Sequence, residues 1–153
     1  MRAALAASLA GLVAGCAGYA PTQDVRAGST EAQVLQAMGQ PTGRYPLPAS
    51  GQRLEFARGR HTYMVDLDAG GRVVEYDQVL QPRYFDAVNP GLNADDLLRF
   101  IGRPSERHGA RGKGEIWSWR YANNDCLWWQ AQLDGQGIVT QAGYGPLPGC
   151  MPK

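Results

Sequence analysis

Three cysteines are the strongest nucleophiles in this chain, and each has different surroundings. Cys16 closes an apolar N-terminal run. Cys126 precedes Leu127-Trp128-Trp129, and Cys150 follows Pro146-Leu147-Pro148-Gly149. A thiol paired with an imidazole would make a nucleophilic catalyst. The only two histidines, His61 and His108, stand alone, with no metal-ligand spacing around them, and both read as surface residues. Asp66 and Asp68 are the nearest approach to a carboxylate pair for acid–base work. Their places at a strand end and in a turn read as structural. Glycines fall at turns, without the strand, Gly-rich loop and helix order that cradles phosphate. The residues therefore point to binding or scaffolding: no enzyme, no catalytic residue, no metal ligand and no cofactor.

The first sixteen residues are the most specific motif. Arg2 supplies a positive start, Ala3 to Val13 is apolar apart from Ser8 and Gly11, and small residues lead into Cys16. That is the layout of a secretory signal. Val13-Ala14-Gly15-Cys16 resembles the bacterial lipobox. The resemblance implies that the Cys16 thiol receives a diacylglycerol, that the chain is cut before it, and that the new amino terminus takes a palmitate-type acyl chain. Each buried methylene contributes about 0.8 kcal/mol, so such a lipoprotein is held firmly to a bilayer. The alternative is a buried N-terminal helix with a free thiol; against it, about eleven apolar residues are too few to span a membrane and match a signal h-region. The expectation is a signal peptide over 1–15 and a lipidated linker over 16–24. Ala17 in place of an acidic residue favours the outer membrane in the sorting rule of such lipoproteins. The expected location is the outer membrane, lipid-anchored, facing the periplasm.

Removing Arg2 from 15 Lys+Arg leaves fourteen basic against 14 acidic residues. A chain this close to neutral has no electrostatic footprint for nucleic acid. Cys126 and Cys150 read as one disulfide in an oxidising compartment, or as two separate buried thiols. A bridge would close a loop of about 25 residues and contribute around 3 kcal/mol.

The chain repeats itself. At a shift of 63, Val25 meets Val88, Gly28 meets Gly91, Leu35 meets Leu98, Gly39 meets Gly102 and Pro41 meets Pro104. Beyond an insertion near Asn123-Asn124-Asp125 the shift is 66, so that Asp68 meets Asp134 and Gly71 meets Gly137. The tandem repeat divides the mature chain into a first unit, 25–80, and a second, 81–153, with a C-terminal tail. Thr30-Glu31-Ala32-Gln33 is a capping-box pattern that opens a helix. Asn93 caps its counterpart. Gly39 and Gly102 should end these helices in a left-handed turn. A short helix around Arg83 to Ala87 precedes the second; its counterpart before Val25 is weak. Leu54 and Phe56, then Tyr63, Val65 and Leu67, alternate with polar residues. Trp117, Trp119 and Tyr121, then Leu127, Trp129, Ala131 and Leu133, do the same. Period two with one apolar face predicts an antiparallel sheet covered on one side. Asp-initiated turns lead to third strands near Arg72 to Tyr76 and Ile138 to Ala142.

Val25-x-x-Gly28-Ser29-Thr30-x-x-Gln33-Val34-x-x-x-Met38-Gly39-x-Pro41, followed by an aromatic strand and an Asp-x-x-Gly turn, resembles the SmpA/OmlA (BamE-like) family of small outer-membrane lipoproteins. The second unit departs from it at Leu92-Asn93. The resemblance implies an α+β fold of two tandem ααβββ units, each with short helices packed on a three-stranded antiparallel sheet. It also implies a non-catalytic scaffold role in envelope assembly or integrity. The expected partners are the membrane, through the N-terminal lipid, and envelope proteins such as the barrel-assembly machinery. The tandem arrangement is also similar to that of secreted β-lactamase inhibitory proteins, which implies a periplasmic binding module or enzyme inhibitor as the alternative. Trp117, Trp119 and Trp129 lie on the apolar phase and read as core. Trp128 lies on the other phase and is the candidate exposed contact, with Arg120 and Tyr144 as its neighbours in a protein-binding surface.

Overall fold

The computed structural model describes residues 24–110, 112–123 and 126–146. The leader over 1–15, the lipidation site Cys16, nearly all of the 16–24 linker and Cys150 lie outside the described residues.

Two runs of elements follow one another in the same order. Helix α1 (Glu31–Met38) opens on the capping box: the Gln33 N–H donates to Thr30 Oγ1 at 3.3 Å, and the Thr30 N–H donates to Gln33 Oε1 at 2.8 Å. Strands β1 (Gly43–Pro46), β2 (Gln52–Arg58), β3 (His61–Leu67) and β4 (Val73–Gln78) form an antiparallel sheet in that order. A four-residue helix α2 (Pro82–Phe85) leads to α3 (Ala94–Ile101), where the Asp96 N–H donates to Asn93 Oδ1 at 2.8 Å. Strands β5 (Glu106–Gly109), β6 (Glu115–Arg120), β7 (Leu127–Leu133) and β8 (Val139–Pro146) make a second sheet in the same order.

The likeness of the halves extends to single hydrogen bonds. Gly28 N–H donates to Val73 O, and Gly91 N–H to Val139 O. One Asp68 oxygen accepts the Gly70 and Arg72 amides, and one Asp134 oxygen accepts those of Gln136 and Ile138. The Thr42 hydroxyl accepts the Ala57 amide at 3.1 Å, and the Ser105 hydroxyl accepts the Arg120 amide at 3.0 Å. Gly39 and Gly102 end α1 and α3 at φ 75° and 80°. Their ψ values of −158° and −174° put them in extended backbone open essentially to glycine alone, not in the left-handed helical turn expected.

The expected α+β arrangement of two ααβββ units is corrected. The fold is mostly β, two four-stranded sheets with three short α-helices among the described residues. The missed strands, β1 and β5, are edge strands of four residues with mainly polar or exposed positions, so they carry no apolar alternation to read. The first half has one α-helix among its described residues.

A second correction concerns the covering of the first sheet. One face packs Leu54, Phe56, Val65 and Val73 against Val34 and Met38 of α1, as the alternation requires. The other face is also covered: Glu55 is 0% exposed, Thr62 2% and Met64 3%. The end of α3 lies against it. Arg53 donates to Arg99 O at 3.0 Å, and a Cβ on Gly102 would sit 2.9 Å from Thr62 Cγ2. The other side of α3 serves the second core, where Leu97 and Ile101 join Phe85, Trp117, Trp119, Trp129 and Leu133. Phe85 stacks on Trp129 at 4.9 Å between centroids, and the Trp119 indole N–H donates to Gly102 O at 3.1 Å. One short helix end thus ties both sheets together.

Candidate functional site: a cleft between the two sheets

Where the back of the first sheet meets the start of the second, a cleft of about 950 Å³ opens. Ala57 and Thr62 form part of one wall, and Arg60 stands at its rim on the two-residue turn between β2 and β3, where Gly59 takes φ 62°. The opposite wall carries Arg103, Ser105 and Glu106 ahead of and within β5, Arg120 at the end of β6, and Tyr121 beyond it. The paired hydroxyls of Thr42 and Ser105 line the cleft while bonding the strands behind them.

A part-buried network centred on the buried Glu55 joins the walls. The Tyr45 hydroxyl donates to Glu55 Oε2 at 2.5 Å, and the Arg103 amide donates to Glu55 Oε1 at 3.2 Å. The Arg103 side chain also bonds the Tyr45 phenol. Burial, then the hydrogen bond and charge of Glu55, push the Tyr45 phenol above its ordinary range, and Arg103 opposes the shift. Tyr45 therefore keeps its proton and remains a donor. Two pairs of contacts flank the seam, the first across neighbouring strands of the first sheet. Arg53 holds Asp66 through two contacts of 2.6 and 2.7 Å, and Asp77 of β4 accepts from Arg83 and Tyr84 of α2 at 2.5 Å each.

The charged side chains of the cleft differ in how they are engaged. Glu55 is satisfied from within. Glu106 contacts Arg120 and His108, each at 3.1 Å. Arg60 is exposed and makes no ion pair among the described residues. Among the described residues, the exposed arginines Arg60 and Arg103 thus carry the charge left unpaired at the opening.

The residues singled out from sequence fall differently. Trp128 is 2% exposed, which corrects its reading as an exposed contact. Arg120 does neighbour it, with the guanidinium 4.7 Å from the ring centroid. A large ring on the polar phase becomes buried when a long charged side chain lies across it. Tyr144 is 45% exposed but belongs to the other face. It pairs in register with Trp129 and approaches Phe85 and Tyr121, whereas Trp128 pairs with Gly145. Trp128, Arg120 and Tyr144 therefore do not form one surface. Trp117, Trp119 and Trp129 are core, at 4%, 0% and 2% exposed. Cys126 lines the cleft and is disulfide-bonded, so it presents no thiolate there. Its expected partner, Cys150, lies outside the described residues, and that pairing stays a proposal. His61 lies beside Tyr63 at 6.3 Å, and Asp68 is consumed by its own turn. Among the described residues no cluster of His, Cys, Asp or Glu is placed to hold a metal ion.

Sequence reading missed Arg60 and Arg103, which packing brings together from different halves. A usable signal existed for the cleft wall. Thr42 and Ser105 stand 63 residues apart, the shift that relates the repeats, and both carry a hydroxyl.

No family profile and no curated protein matches the chain. Three solved structures are similar to it at a distance. A Streptococcus mutans protein designated a candidate β-lactamase inhibitor shares 10% identity over 78% of this chain and 83% of its own, with a TM-score of 0.33. A cysteine-rich secretory protein of Staphylococcus aureus shares 14% over 78% of this chain and 44% of its own, at 0.31. A Bacillus anthracis extracellular protein containing an SCP domain shares 10% over 95% of this chain and 50% of its own, at 0.33. This chain thus spans half or less of the latter two, and likenesses this distant carry no argument about activity. No SmpA/OmlA family profile matches, and two four-stranded sheets with three short α-helices among the described residues are not ααβββ units, so the resemblance to the BamE-like family and the descriptors drawn from it are corrected; the outer-membrane assembly role rested on that resemblance and loses its support with it.

Proposed function

We propose that the chain is a non-catalytic protein-binding module, anchored by lipid on Cys16, that holds a partner protein in the cleft between its sheets. The observation that supports this most is the make-up of the cleft. Arg60, Arg103 and Arg120 line about 950 Å³ of space, and Arg is a residue type that concentrates binding energy at protein interfaces. The Glu55–Tyr45–Arg103 network supports it further, because walls already held in place lose little freedom on binding. Inhibition of a partner enzyme is one form such binding takes. The anchored location rests on residues 2–16, with the folded body facing the periplasm.

Site-specific photocrosslinking tests the reading. A photoreactive residue replacing Arg60 or Glu106 in the full chain is expected to give a discrete protein adduct in the producing cells. The same residue replacing Val74, exposed on β4 and outside the cleft, is expected to give none. Adducts from Val74 alone would overturn the assignment of the cleft.

A further inference from the structure

We infer that the cleft recognises an acidic peptide segment, one carrying Asp or Glu side chains into the space between the sheets. The inference rests on the protein-binding reading above and specifies the chemistry of the partner. Three guanidinium groups line the space, those of Arg60, Arg103 and Arg120, against two carboxylates, Glu55 and Glu106.

Glu106 pairs with Arg120 and Glu55 is buried, so Arg60 and Arg103 are the cations left at the opening among the described residues. Glu55 is 0% exposed and spends both oxygens on the Tyr45 hydroxyl and the Arg103 amide. Glu106 sits between Arg120 and His108. Arg60, on the exposed turn of the facing wall, has no acidic partner among the described residues. Guanidinium forks match carboxylate geometry in pairs of parallel N–H···O bonds, which a neutral or basic segment cannot reproduce. The apolar wall residues Ala57, Pro104 and Leu127 supply contact for the segment's backbone and stems. Such a segment bridges both sheets, because Arg60 stands on one wall and Arg103 and Arg120 on the other.

The test is selection of a random dodecapeptide library on the full chain in a non-ionic detergent. Counter-selection uses Ala57→Trp, which fills the cleft, after its unfolding midpoint shows that it is folded. Recovered peptides are then measured on the parent chain, on Arg60→Glu, and on Arg26→Glu, the same charge change outside the cleft. Cleft-dependent peptides rich in Asp and Glu are expected. They should lose about tenfold in affinity on Arg60→Glu, keep it on Arg26→Glu, and weaken with added salt. Cleft-dependent peptides with no acidic enrichment would overturn this inference and leave the protein-binding reading standing. Equal losses on Arg60→Glu and Arg26→Glu would show general charge attraction and overturn the inference as well. Absence of any cleft-dependent peptide would overturn both.

Discussion

Replacing Glu55 by Ala should loosen the two halves from each other. The carboxylate is 0% exposed and accepts the Tyr45 hydroxyl at 2.5 Å and the Arg103 amide at 3.2 Å. Ala leaves both donors, each only part-buried, without this acceptor. A fully buried unsatisfied donor costs about 1–3 kcal/mol, so two that water can partly reach cost about 2–3 kcal/mol together. Relief of the carboxylate's own desolvation offsets part of this, so we expect a net loss of about 2 kcal/mol. At roughly 2–6 °C per kcal/mol for a chain of this size, Tm should fall by about 7 °C. Glu55→Gln, whose amide oxygen can still take one donor, should lie between Ala and the parent. The assay uses the placement of the tryptophans. All four lie between Trp117 and Trp129, in the second sheet, so their fluorescence reports that half, while far-UV circular dichroism reports both. The parent chain should unfold in urea with coincident curves by the two probes. Glu55→Ala should shift both and separate them. A change under about 0.5 kcal/mol with coincident curves would refute the seam, since only an inconsequential contact behaves that way.

Trp128→Ala should cost about 3–5 kcal/mol in urea unfolding, as for a buried ring; a cost below about 0.5 kcal/mol would return Trp128 to the surface. Gly39→Ala and Gly102→Ala should both destabilise by about 1–3 kcal/mol through backbone strain. Gly102→Ala should lose about 1–3 kcal/mol more, because its Cβ would meet Thr62 at 2.9 Å and Glu55 at 3.1 Å, whereas Gly39 has only Arg58 at 3.9 Å; equal losses would contradict the packing of α3 on the first sheet. Burial and the Asp77 hydrogen bond push the Tyr84 phenol up to about 12. The unfolded chain therefore loses this proton first, near pH 10, so the contribution is complete below that pH and is lost as pH rises toward 12. The urea midpoint should drop between pH 10 and 12 and drop less in Tyr84→Phe, and identical slopes would rule out this source. Cys16→Ser should abolish labelling by a fatty-acid probe, and unchanged labelling would contradict lipidation at that residue.

The parts of the fold legible in the sequence are those set by local chemistry. The Thr30 and Asn93 caps, the Gly39 and Gly102 stops and the Asp68 and Asp134 turns each depend on a few adjacent residues. The core tryptophans followed from period-two alternation. What alternation cannot show is a second covered face made of polar residues. Glu55, Thr62 and Asp66 occupy the phase that reads as solvent, and they are buried at 0%, 2% and 8% because the end of α3 packs there. Satisfied polar groups leave no hydropathy signal. Trp128 misled for the same reason, being buried on a polar phase beneath Arg120. The cleft was illegible because Arg60 and Arg103 are 43 positions apart and meet only through the docking of one repeat on the other.

The central claim is that both walls of the cleft grip one partner. Hydrogen–deuterium exchange on the full chain, with and without a bound cleft-dependent peptide or crosslinked partner, tests it most directly. The account predicts slowed exchange on both walls at once, at Gly59 and Arg60 on the first sheet's turn and at Arg103, Ser105 and Glu106 on the second wall. Slowing confined to one wall, or centred on the exposed edge around Val74, would contradict it.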